Sequence, residues 1–291
     1  MTENSRLPAH VLVMLFFLVA VQLLALAITP AITASGNRVF EDPASATNPF
    51  LYLIIILGFT ALILLAMKLK QGWLISGFIL FSVAASIYYV LVAFMSPWLA
   101  IIPTLGVMLL LRFYPEWYII DIFGILVCAG ISSLFGVSMT TFPAFLLLLV
   151  LAIYDAISVY KTRHMVSLAE GVINIKAPLL FVVPKSRDYS FIKDKASISS
   201  KEGAKRGAYF LGLGDAIIPT ILVISANWSL PASSFGGINL PSLGAMLGTY
   251  LGFLILMTTS RDRPQAGLPF LNSGAILGFL VGCIAAGVRP F

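Results

Sequence analysis

Charge is what this sequence has least of. Only 10% of its 291 residues are Asp, Glu, Lys or Arg, against about a quarter in an ordinary soluble domain. A water-facing surface cannot be built from so few. It holds two cysteines and two histidines, too few for a zinc site. Both thiols, Cys128 and Cys283, lie inside apolar runs, where cysteine is an inert packing residue. No metal and no cofactor is expected. The net charge of +6 does not indicate nucleic acid, because the basic residues sit in links between apolar runs and not on a folded surface. What the chain does have is apolar residues, 59% of the total. They come in runs of about twenty that do not alternate as barrel strands would. The fold class is an all-α polytopic membrane protein, with the lipid bilayer as its first partner.

A window of about nineteen residues divides the chain into nine predicted transmembrane helices, at 9–31, 50–67, 73–95, 97–111, 118–137, 142–160, 207–228, 240–258 and 266–288. The first is too long for a signal-peptide core and is kept as a helix. The one long link gives the plan of six plus three: helices 1–6 within 1–160, a cytoplasmic loop at 161–206, and helices 7–9 within 207–291. With the N-terminus inside, sixteen of the eighteen basic residues fall on the cytoplasmic side, ten of them in the long loop. Only Arg38 and Arg289 fall outside. That asymmetry predicts an N-in/C-out orientation. No internal repeat suggests a transporter built from inverted halves.

Against this background two carboxylates stand out. Asp155 interrupts LLLLVLAIYDAISVY in the sixth run, and Asp215 interrupts YFLGLGDAIIP in the seventh. A carboxylate at bilayer depth costs roughly 2.5–3.5 kcal/mol on insertion scales, so such a residue is a functional-site candidate by default. Asp155 lies six residues before Lys161, and Asp215 nine after Arg206. Both stretches read as helix, which puts the two roughly 9 and 13 Å below the same cytoplasmic boundary at 1.5 Å per residue. Consecutive antiparallel helices would let them meet. Close carboxylates do not both ionise easily and hold one proton between them, which is the working state of an aspartic protease: one deprotonates a water, the other hydrogen-bonds the scissile carbonyl. Gly212 and Gly214 would admit a close backbone, and Pro219 removes the N–H that would bond the Asp215 carbonyl.

These residues resemble the presenilin and signal peptide peptidase family of GxGD intramembrane aspartyl proteases. That family carries a YD motif in its sixth span, here Tyr154-Asp155, and GxGD in its seventh, here Gly212-Leu213-Gly214-Asp215. Its third motif, Pro-Ala-Leu at the start of the ninth span, falls on Ala266-Gly267-Leu268, followed by Pro269, and only the leucine matches. The resemblance implies an endopeptidase that cuts single transmembrane helices within the bilayer, with Asp155 and Asp215 catalytic and no cofactor. It implies protein substrates that are N-out stubs with short ectodomains, approached by Tyr154, by residues 212–214 and by residues 266–269. The N-in orientation is similar to presenilins, whereas GLGDAIIP is similar to the signal peptide peptidase pattern. The short chain looks like a microbial homologue in a cell membrane. In the loop, APLLFVVP (Ala177 to Pro184) is apolar and strand-prone. By the same resemblance Leu179, Leu180, Phe181, Val182 and Val183 would pair with an extended substrate by β-augmentation. The competing reading is an apolar segment lying on the bilayer.

Other polar residues read more plainly. Asp121, near the cytoplasmic end of the fifth span, caps its helix or pairs with Arg112. His10 and His164 are interfacial, and Glu170 is a solvated loop charge. Asn227-Trp228-Ser229 fits the glycosylation pattern on the outer side. Three functions compete with the protease. A cation or proton pathway would use both aspartates as ion sites, but lacks further polar residues along a path. A scaffold leaves both unexplained. A prepilin-type peptidase does not account for the YD partner.

Overall fold

The computed structural model describes residues 8–36, 38–69, 72–162, 179–186, 188–192, 207–259 and 266–291. Arg6, Lys70, His164, Glu170, Ala177, Arg206, Arg261, Arg263 and most of the predicted cytoplasmic loop lie outside the described residues. Within them the chain forms nine α-helices: α1 Ala9–Ala34, α2 Asn48–Lys68, α3 Gly72–Val92, α4 Pro97–Phe113, α5 Trp117–Val137, α6 Thr141–Ile157, α7 Leu213–Ser229, α8 Leu240–Thr259 and α9 Gly267–Ala286. Seven of them, α6 counted with the turn that extends it to Lys161, are long and apolar enough to cross a membrane; α4 and α7 are shorter apolar helices. At 17 residues each, those two reach about 26 Å, slightly less than a hydrocarbon core of about 30 Å.

The helix ends follow local chemistry. Pro97 opens α4 at a position whose N–H has no helical partner in any case. Gly287 closes α9 in the left-handed conformation, φ 66°, where a Cβ would be strained. Beyond α6 the chain makes one wider π turn, Ser158–Thr162, which begins three residues after Asp155.

The seventh predicted span is not helical throughout. Its first part, Ala208–Gly212, is a strand, β2, paired antiparallel with β1, Leu180–Pro184. The physical reason is partnership: Tyr209, Phe210 and Leu211 suit a strand as well as a helix, and the apolar LFVVP segment supplies the ladder. Asp215 is therefore the third residue of a helix, not the middle of one, and extended chain rather than helical rise carries it in from the membrane face. A second, two-residue hairpin joins β3 (Ser234–Phe235) to β4 (Ile238–Asn239) through Gly236 and Gly237, φ 61° and 84°, the two positive angles a tight hairpin turn needs.

α7 is the buried axis of the bundle, with Leu222, Val223, Ile224 and Ala226 at 0% exposure. It packs against α5, α1, α6, α8 and α9. α2, α3 and α4 lie at the periphery, where Trp98, Ile102 and Phe113 are exposed apolar residues facing the lipid. Buried polar side chains tie the bundle together: Ser225 Oγ donates to the carbonyl of Met139 in the α5–α6 link at 2.8 Å, Ser242 Oγ to Val223 at 2.9 Å, and Asn272 Nδ2 to Leu148 at 2.8 Å.

The closest helix pair is α8 with α9. Gly244, Gly248 and Gly252 repeat every fourth residue on α8; Gly274, Gly278 and Gly282 do so on α9. A Cβ on Gly248 would overlap the Gly274 carbonyl oxygen, and one on Gly274 would overlap that of Gly248. Small residues let the two backbones touch, which is how helices associate where no hydrophobic force separates them from lipid.

Candidate active site

The GxGD spacing has a local explanation. Gly212 ends β2 and is the N-cap of α7, extended at φ −63°, ψ 137°. Asp215, three residues on, sits at the third helical position, and the Gly212 backbone N–H hydrogen-bonds its carboxyl. This is half of a capping box, an acid reaching back to the N-cap amide, at the helix end that favours negative charge. Leu213 is buried. Gly214 is exposed, and a Cβ there would meet nothing within 4 Å, so the close approach it permits is open space beside Asp215 and not a packed neighbour.

Asp155 sits on α6 at 4% exposure. Its Oδ2 accepts a hydrogen bond from the Leu268 backbone N–H at 3.1 Å. Ala266 is the N-cap of α9, so Leu268 carries one of the first amides, which lack a partner inside their own helix. The adjacent residue, Gly267, lies against the other aspartate: a Cβ there would stand 3.0–3.2 Å from Asp215 Oδ1, Oδ2 and Cγ. Consecutive residues of α9 thus touch one carboxyl each, and the two carboxyls are near enough to act electrostatically on one another. This accounts for the altered third motif: the leucine amide is a backbone donor, and position 267 has room for little beyond hydrogen. Pro269 follows in the first turn, where a missing N–H is harmless. Tyr154 is half-buried on α6.

β1 and β2 lie beside this pair. The Leu213 N–H donates to the Leu179 carbonyl at 3.2 Å and the Lys185 N–H to Gly207 at 3.0 Å. With the register of the ladder, Leu180 opposite Gly212, these fix the bonded pairs as Phe181–Leu211 and Val183–Tyr209. Leu180, Val182 and Pro184 then point their backbone groups away from β2. The Val182 N–H is taken by Asp121 Oδ1 at 2.8 Å, and Pro184 has none. Phe181, Val182 and Val183 are buried, with Phe181 stacked on Phe17 of α1 at 4.9 Å. Of the three outward N–H positions on β1, one is thus bonded by Asp121 and one is a proline. On β2, the outward backbone groups of Ala208 and Phe210 have no bond to another strand among the described residues.

Several residues read differently from their sequence. Asp121 does not pair with Arg112; it accepts from β1. His10 stacks on Tyr209 of β2 with ring centroids 3.8 Å apart, and Lys185 Nζ lies 4.6 Å from the same ring centre, contacts with no motif to announce them. Asn227 Nδ2 donates to the Gly237 carbonyl at 3.2 Å while its Oδ1 accepts from the Asn239 N–H at 2.8 Å. The amide nitrogen that glycosylation would use thus pins the hairpin. Cys128 Sγ approaches the Leu213 carbonyl at 3.7 Å, a packing contact.

Comparison with known proteins gives a consistent picture. Residues 14–288 match the family described as signal-peptide peptidase, presenilin aspartyl protease. Two solved structures of a presenilin family intramembrane aspartate protease are similar to the whole chain. One, in a C222 crystal, is 34% identical with a TM-score of 0.65, covering 94% of this chain and 98% of that one. The other, in a P2 crystal, is 35% identical with a TM-score of 0.68, covering 97% and 100%. No curated protein matches the sequence.

Proposed function

The chain belongs to the signal-peptide peptidase, presenilin aspartyl protease family and is a multi-pass intramembrane aspartyl protease, and from that premise we propose that Asp155 and Asp215 are its catalytic dyad. The observation that carries this is the start of α9, where Gly267 abuts one carboxyl and the Leu268 amide bonds the other. In the reaction, the ionised carboxylate takes a proton from water as the water oxygen bonds to the scissile carbonyl carbon. The protonated partner hydrogen-bonds the carbonyl oxygen and then supplies the proton that leaves with the amine as the C–N bond breaks. The Leu268 amide steadies the charged form of Asp155, and the Gly212 amide that of Asp215. A cation pathway through the aspartates has no support from the family.

The substrates are helical membrane proteins. We propose that they enter as N-out stubs, in keeping with an N-in/C-out enzyme in a microbial cell membrane. The support is the placing of sixteen of eighteen basic residues on one side of the nine-span plan. Tyr154, Gly212, Leu213, Gly214 and residues 266–269 line the approach to the dyad. A substrate must unwind to be cut, and an extended segment can add to the open edge of β2 at Ala208 and Phe210 by β-augmentation. Leu179 to Val183 act from behind, as the strand that holds β2.

A transmembrane peptide whose scissile amide is replaced by a hydroxyethylene group mimics the tetrahedral intermediate. It is expected to inhibit wild-type enzyme competitively and to lose affinity at least about tenfold when either aspartate becomes asparagine. Unchanged affinity in both variants would contradict the dyad.

A further inference from the structure

α5 carries two buried carboxylates outside the dyad. Glu116, its N-cap, is 8% exposed, and Asp121 is 4% exposed. Both accept hydrogen bonds from one segment of the chain. Glu116 Oε1 accepts from the Ser190 hydroxyl at 2.6 Å and Oε2 from the Phe191 N–H at 3.0 Å. Asp121 Oδ1 accepts from the Val182 N–H at 2.8 Å. The strand β1 and the loop that leaves it are thus bonded to α5 at two points.

Stability alone does not account for Asp121. Its Oδ2 is buried with no hydrogen-bond partner among the described residues. A half-satisfied buried carboxyl is a weak way to stabilise a fold, and an apolar residue of similar volume is often as good. What only an acceptor can do at this position is occupy the outward N–H of Val182, where the carbonyl of a third strand would otherwise bond. Pro184, also facing outward, offers no N–H at all. Between them they remove two of the three outward N–H donors of β1, at 182 and 184, which favours β2 as the edge that accepts a strand.

We propose that Asp121, assisted by Glu116, is a positioning residue that closes the outer edge of β1, so that an extended substrate adds to β2 in a single register relative to Asp155 and Asp215. This rests on the dyad reading and on strand addition at β2. Asp121 touches neither substrate nor the reacting atoms; it acts through Val182 and the β1–β2 ladder.

The test compares full-length wild type, Asp121→Leu, Asp121→Asn, Glu116→Ala and Glu116→Gln in liposomes on a transmembrane peptide, with kcat, KM and product masses recorded and Asp215→Asn as the control. Asp121→Leu is expected to raise KM about tenfold, the scale of one charge-assisted hydrogen bond, and to spread cleavage over neighbouring bonds, with kcat changed less than about threefold. Asp121→Asn keeps an oxygen acceptor and should restore the wild-type products. If Asp121→Leu fails to fold, the Glu116 pair carries the test: Ala spreads the cuts and Gln restores them. Wild-type products and KM in Asp121→Leu, or in Glu116→Ala where that pair is decisive, would overturn the proposal. So would equal damage from the apolar and the amide variants. Cleavage by Asp215→Asn would instead overturn the dyad reading beneath it.

Discussion

The Leu268 amide donates to Asp155 Oδ2 at 3.1 Å across a separation of 113 residues. A backbone donor cannot be removed by an ordinary side-chain change, so the bond tolerates variation in the motif around it. Replacing Leu268 with its α-hydroxy acid, which turns the amide N–H into an ester oxygen, isolates the contact. A hydrogen bond to a charged group contributes about 1.5–3 kcal/mol, so kcat is expected to fall at least about tenfold with the leucine side chain and the fold intact. Single-turnover cleavage measures it, and an unchanged rate would remove this amide from the mechanism.

Gly267 makes a second, steric prediction. A methyl at this position would sit 3.0 Å from Asp215 Oδ1, so the carboxyl must move by a few tenths of an ångström. Gly267→Ala is expected to keep activity within about tenfold, whereas Gly267→Leu displaces the carboxyl and abolishes cleavage, since misplacement by about 1 Å can cost about 100-fold. Product formation by mass spectrometry decides between them.

Two further glycines separate folding from function. Gly248→Ala drives a methyl into the Gly274 carbonyl and is expected to cost about 1–3 kcal/mol of stability, the usual penalty of overpacking. Gly214→Ala enters open space and should leave thermal unfolding in detergent unchanged while lowering kcat/KM, because the methyl stands where the substrate backbone approaches. Equal melting shifts in the two variants would contradict this division.

Strand addition to β2 is tested by proline. Phe210 faces Val182 in a pair that exchanges no ladder bonds, so Phe210→Pro removes an outward N–H and spares the β1–β2 contacts. Leu211→Pro breaks the ladder itself. The first is expected to lower kcat/KM several-fold, as one net hydrogen bond of about 0.5–1.5 kcal/mol allows, with unchanged melting. The second should lower both. No effect of Phe210→Pro on cleavage would argue against pairing at this edge.

The architecture was legible because membrane helices are long and apolar: eight of the nine spans anticipated from hydropathy coincide with helices to within a few residues. The two aspartates were legible for the opposite reason, as charges where charge is expensive. What stayed hidden depended on contacts between distant segments. Nothing in YFLG announces a strand until LFVVP lies beside it, and Asp121 looks like a helix-end charge until Val182 is seen to need an acceptor. The glycines at 244, 248 and 252 and at 274, 278 and 282 carry a fourfold spacing that a search for helical pairing motifs would have found. The third motif looks degraded at Ala266-Gly267, yet the contacts made there to the two carboxyls come from a backbone amide and from a position without a side chain, neither of which a residue-by-residue match records.

The central claim is that Asp155 and Asp215 form one active site, and its most direct test is cleavage of a transmembrane peptide in liposomes by wild type, Asp155→Asn and Asp215→Asn, with product masses recorded. The account predicts cuts inside the apolar segment by wild type and a loss of at least about 1,000-fold in each variant, with the fold retained, because neither carboxyl can serve as both base and acid. Cleavage by either variant at a rate near that of wild type would contradict it.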